Sequence, residues 1–329
     1  MLQLRISAPT SLSDDVLRIL SDDPAVTGLA VVNAASLRPA GDVVFAEVAR
    51  EAANDIIDRL LSIGLQREGS LHVQPVDTWV SQRAFDAERE APGSGADAVV
   101  WAEVTQRAYA ESELNWTYLS FMCLATLIAA IAIILDSQIL VIGAMVLGPE
   151  FGAVAGLGLA LVRRRKVLLV RTIRALLLGF AVAICVTALT ALVGRWLGWL
   201  AAADVTGPRP GTDFIYTPDR WSFVVSVIAG AAGVLSLTSS RVGGLSGVFI
   251  SVTTIPAAGN VGLALAFGLS HEARGSTLQL LINLSGMAVA GFVTLILQQL
   301  VWARVSARRQ RLSTRLRRRD RDGPARPSD

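Results

Sequence analysis

Two rhythms of apolar and polar positions divide the chain near residue 116. Before that point, short apolar runs lie between polar turns. Leu2-Gln3-Leu4-Arg5-Ile6 alternates with the period of a half-buried strand. Leu12, Val16, Leu17 and Leu20 recur at helical spacing and predict a helix over 11–20, with Ser11 or Ser13 as its cap. The β-branched run Val26 to Val32 reads as a strand, Ala40-Gly41-Asp42 as a turn, and Val43 to Val48 as another strand. A helix over Ala52 to Ile63 stops at Gly64, and Leu71 to Val76 is a last short strand. Beyond residue 116 the rhythm gives way to six long apolar stretches, near 117–135, 138–162, 170–197, 222–241, 245–269 and 276–302. Each approaches the roughly 20 residues needed to cross a bilayer as a helix.

The first elements follow the order βαββαβ within residues 1–80, which predicts a ferredoxin-like α+β sandwich. In pattern it resembles ACT-type regulatory domains, and that resemblance implies a small ligand or a dimer contact. A folding module without a ligand fits the pattern equally well. Residues 86–97 have linker composition. Residues 97–114 form an amphipathic stripe through Val100, Val104 and Ala108, so 81–116 reads as a linker plus juxtamembrane helix. Trp101, Tyr109, Trp116 and Tyr118 suit a membrane–water boundary. The membrane domain then covers 117–302, and a basic tail covers 303–329.

Composition agrees with this division: 52% of the 329 residues are hydrophobic. Arg163-Arg164-Arg165-Lys166 lies between the second and third stretches, and the Arg-rich tail follows the sixth. Six crossings put both clusters, and Arg241, on the side of the N-terminus, while the Pro-rich loop 199–220 lies opposite. The positive-inside rule makes the shared side cytosolic. We therefore expect a multi-pass protein of the bacterial plasma (inner) membrane with both termini in the cytosol. Cys123 and Cys185 fall within apolar stretches and read as packing residues, not a disulfide or metal pair.

The membrane half repeats itself. A shift of 107 positions carries Pro149 onto Pro256, Gly152 onto Gly259, and Gly179, Ala181, Val182 and Ala183 onto Gly286, Ala288, Val289 and Ala290. Two copies of three spans each face the bilayer in opposite senses, so the expected fold is a polytopic α-helical protein with a 3+3 inverted repeat and two Pro-broken helices. Proline removes a backbone donor and clashes with the preceding turn. In hydrocarbon, the freed carbonyls need a neighbour or a cavity. Polar residues flank both breaks: Glu150 after Pro149, and Thr253, Thr254 and Asn260 around Pro256. Pro149, Glu150, Gly152, Thr253, Thr254, Pro256, Gly259 and Asn260 form the candidate substrate or ion site. The competing reading makes the prolines structural kinks and Glu150 a helix cap. Asp136 is a candidate gate, though a boundary position in water fits it better. His271 and Glu272 read as solvated, Asn283 and Ser285 as cavity lining or interhelical ties, and the glycines from Gly143 to Gly291 as close-packing residues.

Ile142-Gly143-Ala144-Met145-Val146-Leu147-Gly148-Pro149, followed by Gly152 and Gly156-Leu157-Gly158-Leu159-Ala160, resembles the signature of the bacterial and archaeal hydrophobic membrane domain of unknown function family 389. The stretch from Gly247 through Ile255-Pro256 to Asn283 resembles the second half of the same family. The resemblance implies a membrane fold and brings no activity. Paired histidines, a nucleophile elbow, a P-loop and metal-spaced acids are missing from the sequence, so an enzyme is disfavoured and neither cofactor nor metal is expected. The leading expectation is a proton- or cation-coupled secondary transporter of a small solute or ion, regulated by or dimerised through its cytosolic domain. The alternative is an ion channel or stress-sensing pore gated by that domain. Expected partners are membrane lipid, the solute, a small ligand of the cytosolic domain and a second copy, with no nucleic acid.

Overall fold

The computed structural model describes residues 1–76, 78–90, 98–217, 219–239 and 254–321. They form two compact units: Met1–Glu103 with Gln298–Asp329, and Val104–Leu297.

In the first unit, strands β1 (Leu2–Pro9), β2 (Val26–Leu37), β3 (Ala40–Val48) and β4 (Ser70–Pro75) make an antiparallel sheet in the order β2-β3-β1-β4. Helix α1 (Ser13–Ser21) connects β1 to β2. Helix α2 (Ala53–Ser62) and the single turn α3 (Leu65–Glu68) connect β3 to β4. Two split βαβ units therefore interlock, as the element order implied. Leu2, Leu4 and Ile6 alternate onto the buried face beside Val44, Ala46 and Val48, and α1 and α2 cover them with Val16, Leu20, Ile56 and Leu60. Replacing Leu4 with alanine removes contacts worth about 2–5 kcal/mol.

Three local expectations fail here. Ala40-Gly41-Asp42 belongs to β3, where Gly41 pairs with Pro9. Asp42 is tolerated in the strand because its carboxylate accepts from the Ala34 N–H at 2.8 Å and from the Ser13 hydroxyl. Ser13 is thereby drawn away from capping, and Leu12 holds the cap position of α1 with no side-chain bond. Residues 86–90 are not linker: they continue α4 (Gln82–Glu90), while 91–97 lie outside the described residues.

From Ala98 the chain lies along α2. Arg50 Nε donates to the Ala98 carbonyl at 3.1 Å, Asn54 Nδ2 to the Val99 carbonyl at 2.6 Å, and Asn54 Oδ1 accepts from the Trp101 N–H at 3.1 Å. Asn54 thus satisfies an orphan N–H at the start of α5 (Trp101–Glu111), doing from another helix what an N-cap residue does locally. The Arg50–Glu103 ion pair at 2.9 Å closes the same seam.

The second unit is helical: α6 (Trp116–Ile134), α7 (Gln138–Leu147), α8 (Glu150–Val162), α9 (Lys166–Trp196), α10 (Ala202–Thr206), α11 (Arg220–Thr238), α12 (Thr254–Phe267) and the start of α13 (Ser270–Arg321). Among the described residues, α6, α9, α11 and the 270–301 part of α13 are long and apolar enough to cross a membrane. Helices α7 and α8 form a pair bent by 56°, and α12 is a shorter apolar helix. Residues 240–253, and with them Arg241, lie outside the description.

Side chains at helix junctions make the breaks. Asn115 caps α6 by accepting from the Tyr118 N–H, and Asp219 caps α11 by accepting from the Ser222 N–H. Arg164 and Asp136 take left-handed backbone at helix ends, where Arg165 N–H bonds the Ala160 carbonyl and Ser137 N–H the Ala132 carbonyl, both at 2.9 Å. Tyr118, in the first turn of α6, is buried, and its ring fills the space over Gly179. Cys185 is exposed on the surface of α9, not packed inside. A Cβ on Gly143 would meet nothing within 4 Å, so close packing does not explain that glycine.

Candidate functional site at two half-helix starts

Gly148 leaves α7 in an extended conformation, and Pro149 takes the cap position of α8. Proline suits this place because no helical hydrogen bond needs its missing N–H. Pro256 is placed similarly. It does not interrupt α12 but stands in its first turn, two residues after Thr254. Residues 245–253, on the N-terminal side of the expected break, lie outside the described residues. Both prolines lie at helix starts.

The two starts meet. Glu150, the first residue of α8, is fully buried, and its Oε1 accepts from the hydroxyl of Thr254, the first residue of α12, at 2.7 Å. Helix N-termini carry partial positive charge and favour a carboxylate. A hydroxyl donates to a carboxylate and accepts from a carboxylic acid, so this contact suits either protonation state. Tyr118 stands within electrostatic reach of Glu150. A cleft of about 370 Å³ opens beside the break, lined by Glu111, Glu113, Asn115, Tyr118, Pro149 and Gly152 among others. Burial pushes the Glu111 carboxyl above its ordinary range, and Arg107 pulls it partly back.

The other expected site residues divide. Gly152 is a seat for Glu111, whose side chain would collide with any Cβ there. Gly259 lets α12 approach the backbone of α6, with the Thr126 carbonyl 3.0 Å from a Cβ placed on it. Thr253 lies outside the described residues. Asn260 does not face Glu150. Its Nδ2 donates to Ser276 Oγ at 2.8 Å and reaches Glu272 at 3.4 Å, because six residues of helix carry it about 9 Å from Thr254.

At that opposite end, Glu272 is not solvated but pairs with Arg209 at 2.8 Å, and Arg209 lies 5.2 Å over the Tyr216 ring. His271 is exposed. Asp136 is more than a boundary residue in water: it accepts from the Gly211 N–H at 3.1 Å and the Thr212 hydroxyl at 2.9 Å, clasping the loop that carries Arg209. Ser285 is exposed and bonds to carbonyls of its own helix, whereas Asn283 is buried. Glu111, Arg209, Ser276 and Gln279 escaped sequence reasoning. The spacing of Glu272, Ser276, Gln279 and Asn283 along one helical face was the available signal.

Comparison with known proteins adds relatives but no activity. Residues 145–289 match the family described as a domain of unknown function (DUF389). An uncharacterized protein of Methanocaldococcus jannaschii is 24% identical over 208 residues, covering 63% of this chain and 61% of the relative. The matched region therefore spans less than two thirds of that relative's length. No solved structure matches the chain. The bent helix pair that holds the Ile142 to Pro149 run overlaps the start of the stretch that matches the DUF389 model.

Proposed function

We propose that the membrane unit carries a small solute or ion across the bilayer, coupled to a proton or cation through Glu150, and that the N-terminal domain regulates or dimerises it. The observation that carries this reading is the buried contact between Glu150 and Thr254, each at the start of a helix. Polar groups at interrupted helices inside a bundle are the materials of transport sites.

Matched packing supports the inverted repeat behind this proposal. A Cβ on Gly179 would meet Tyr118 of α6 at 2.8 Å, and a Cβ on Gly286, 107 positions later, would meet first Ser226 and then Phe223 of α11, the latter at 3.4 Å. In both halves the third long helix thus receives the first at an equivalent glycine. Helix α12 approaches α6 at Gly259 and α9 at Gly262, while α8 approaches α13 at Gly158. Each half lends a short helix to the other. Counting α7–α8 as one span and 245–269 as another gives the six spans of the proposal. For the N-terminal domain, edge strand β2 exposes Leu29, Val31 and Val32, a surface suited to a second copy.

The test is flux in proteoliposomes, read by a pH-sensitive dye inside the vesicles and by sodium uptake. Glu150→Gln preserves size and the Thr254 contact, so the protein should fold while pH- or cation-dependent flux is lost. Normal coupled flux in Glu150→Gln overturns the coupling role. Voltage-driven current that persists in the same variant favours the pore reading instead.

A further inference from the structure

Helices α12 and α13 form an antiparallel hairpin: Gly268 at their junction lies midway in sequence between the bonded pair Asn260 and Ser276. Glu272, Ser276, Gln279 and Asn283 follow one another by four, three and four residues, so they share one face of α13. That face is inward. Ser276, Gln279 and Asn283 are each no more than 1% exposed, while Leu278 and Leu281 on the other side are more than half exposed. Counting six residues back from Asn260 reaches Thr254, and seven forward from Ser276 reaches Asn283, each about 9–10 Å along its helix. Asn283 therefore stands near the level of Thr254 and Glu150, with Gln279 between.

Both amide atoms of Gln279, both of Asn283 and Oδ1 of Asn260 are buried without a hydrogen-bond partner among the described residues. Each such atom costs about 1–3 kcal/mol if nothing satisfies it. Apolar side chains would pack this face without that cost. We infer that these amides line a hydrated access path, about 16 Å long by helix rise, from the Arg209–Glu272 ion pair inward to Glu150. The lining offers donors and acceptors and no fixed charge between its ends, so it takes water and small polar or monovalent species. The ion pair closes the outer end: Arg209 and Glu272 are 4% and 16% exposed, and Arg209 belongs to the loop that Asp136 clasps. The inner terminus rests on the reading of Glu150 as the working carboxylate; the path itself does not.

The test places single cysteines at Gln279 and Asn283 in full-length protein carrying Cys123→Ala and Cys185→Ala. Permeabilised membranes are treated with a small cationic methanethiosulfonate. Both positions should label slowly with the ion pair intact and at least about tenfold faster with Glu272→Gln, as expected when a closed state loses its differential stabilisation. Arg209→Gln opens the same pair if Glu272→Gln fails to accumulate. Leu281→Cys, on the apolar face, should not respond to either opening variant. The path is overturned if Gln279→Cys and Asn283→Cys stay unreactive in both opened proteins while exposed Ser270→Cys labels, or if their rates match that of Leu281→Cys. Labelling needs no transport. A dry path with intact coupled flux sinks this inference alone, and a labelled path with unchanged flux in Glu150→Gln sinks only the coupling role.

Discussion

Glu111 ends α5 as an exposed residue, its side chain lying over Gly152 at the rim of the cleft beside Pro149. Desolvation raises its pKa in the folded protein, so the folded state holds the proton more tightly than the unfolded chain does. Its contribution is favourable below the unfolded value and is lost as pH rises through the folded one. Glu111→Gln should therefore raise the thermal midpoint at neutral pH and leave it nearly unchanged near about pH 4, where the carboxyl is largely protonated in both states. A midpoint difference that is constant with pH would show that the side chain acts by packing alone. Glu150 was legible in the sequence because an acid inside an apolar stretch is conspicuous. Glu111 was not, because helical periodicity does not tell which acid a distant helix will meet, here at Gly152.

Among the elements, glycines set how closely helices approach, and their roles diverge under one sequence signature. A Cβ on Gly230 of α11 would stand 2.7 Å from the Met287 backbone, which cannot yield as a side chain can. Gly230→Ala should destabilise by about 1–3 kcal/mol, measured by thermal or denaturant unfolding in detergent. Gly143 of α7 meets nothing within 4 Å. Gly143→Ala should be neutral or stabilise by up to about 1 kcal/mol, because alanine is the better helix former. Equal losses at both positions would contradict the packing assignment. Gly152 and Gly156, spaced as a helix-pairing motif, instead seat Glu111 and Ser112 from the end of α5. Spacing identified the small face; only the fold specified what lies on it.

For the whole molecule, the basic clusters make a topological prediction. With both native cysteines replaced, a cysteine placed in the tail after Arg304 should resist impermeant thiol reagents in intact cells and react after lysis. Labelling of intact cells would put the tail outside and overturn the cytosolic assignment; a tail and an N-terminus on opposite sides would remove the inverted repeat, since two oppositely oriented halves of three spans require the termini to share a side.

The sequence alone determined the βαββαβ order of the first domain and the apolar helices that follow it, while the compact units divide at Glu103 and not near residue 116. The order and the helices each depend on a local period: two residues for a strand, 3.6 for a helix, about 20 for a crossing. It also marked Pro149, Glu150 and Pro256 as a matched neighbourhood, because proline and a buried acid are rare in apolar segments. Tertiary structure decided which polar groups meet. Glu150 and Thr254 lie 104 residues apart and bond, whereas Asn260, close to Thr254 in sequence, turns to Ser276. It paired Glu272 with Arg209 across 63 residues and set Asp136 against the loop between α9 and α11. A hydrogen bond requires its two groups within about 3 Å. No periodicity encodes that proximity; it arises only when helices from distant parts of the chain pack side by side.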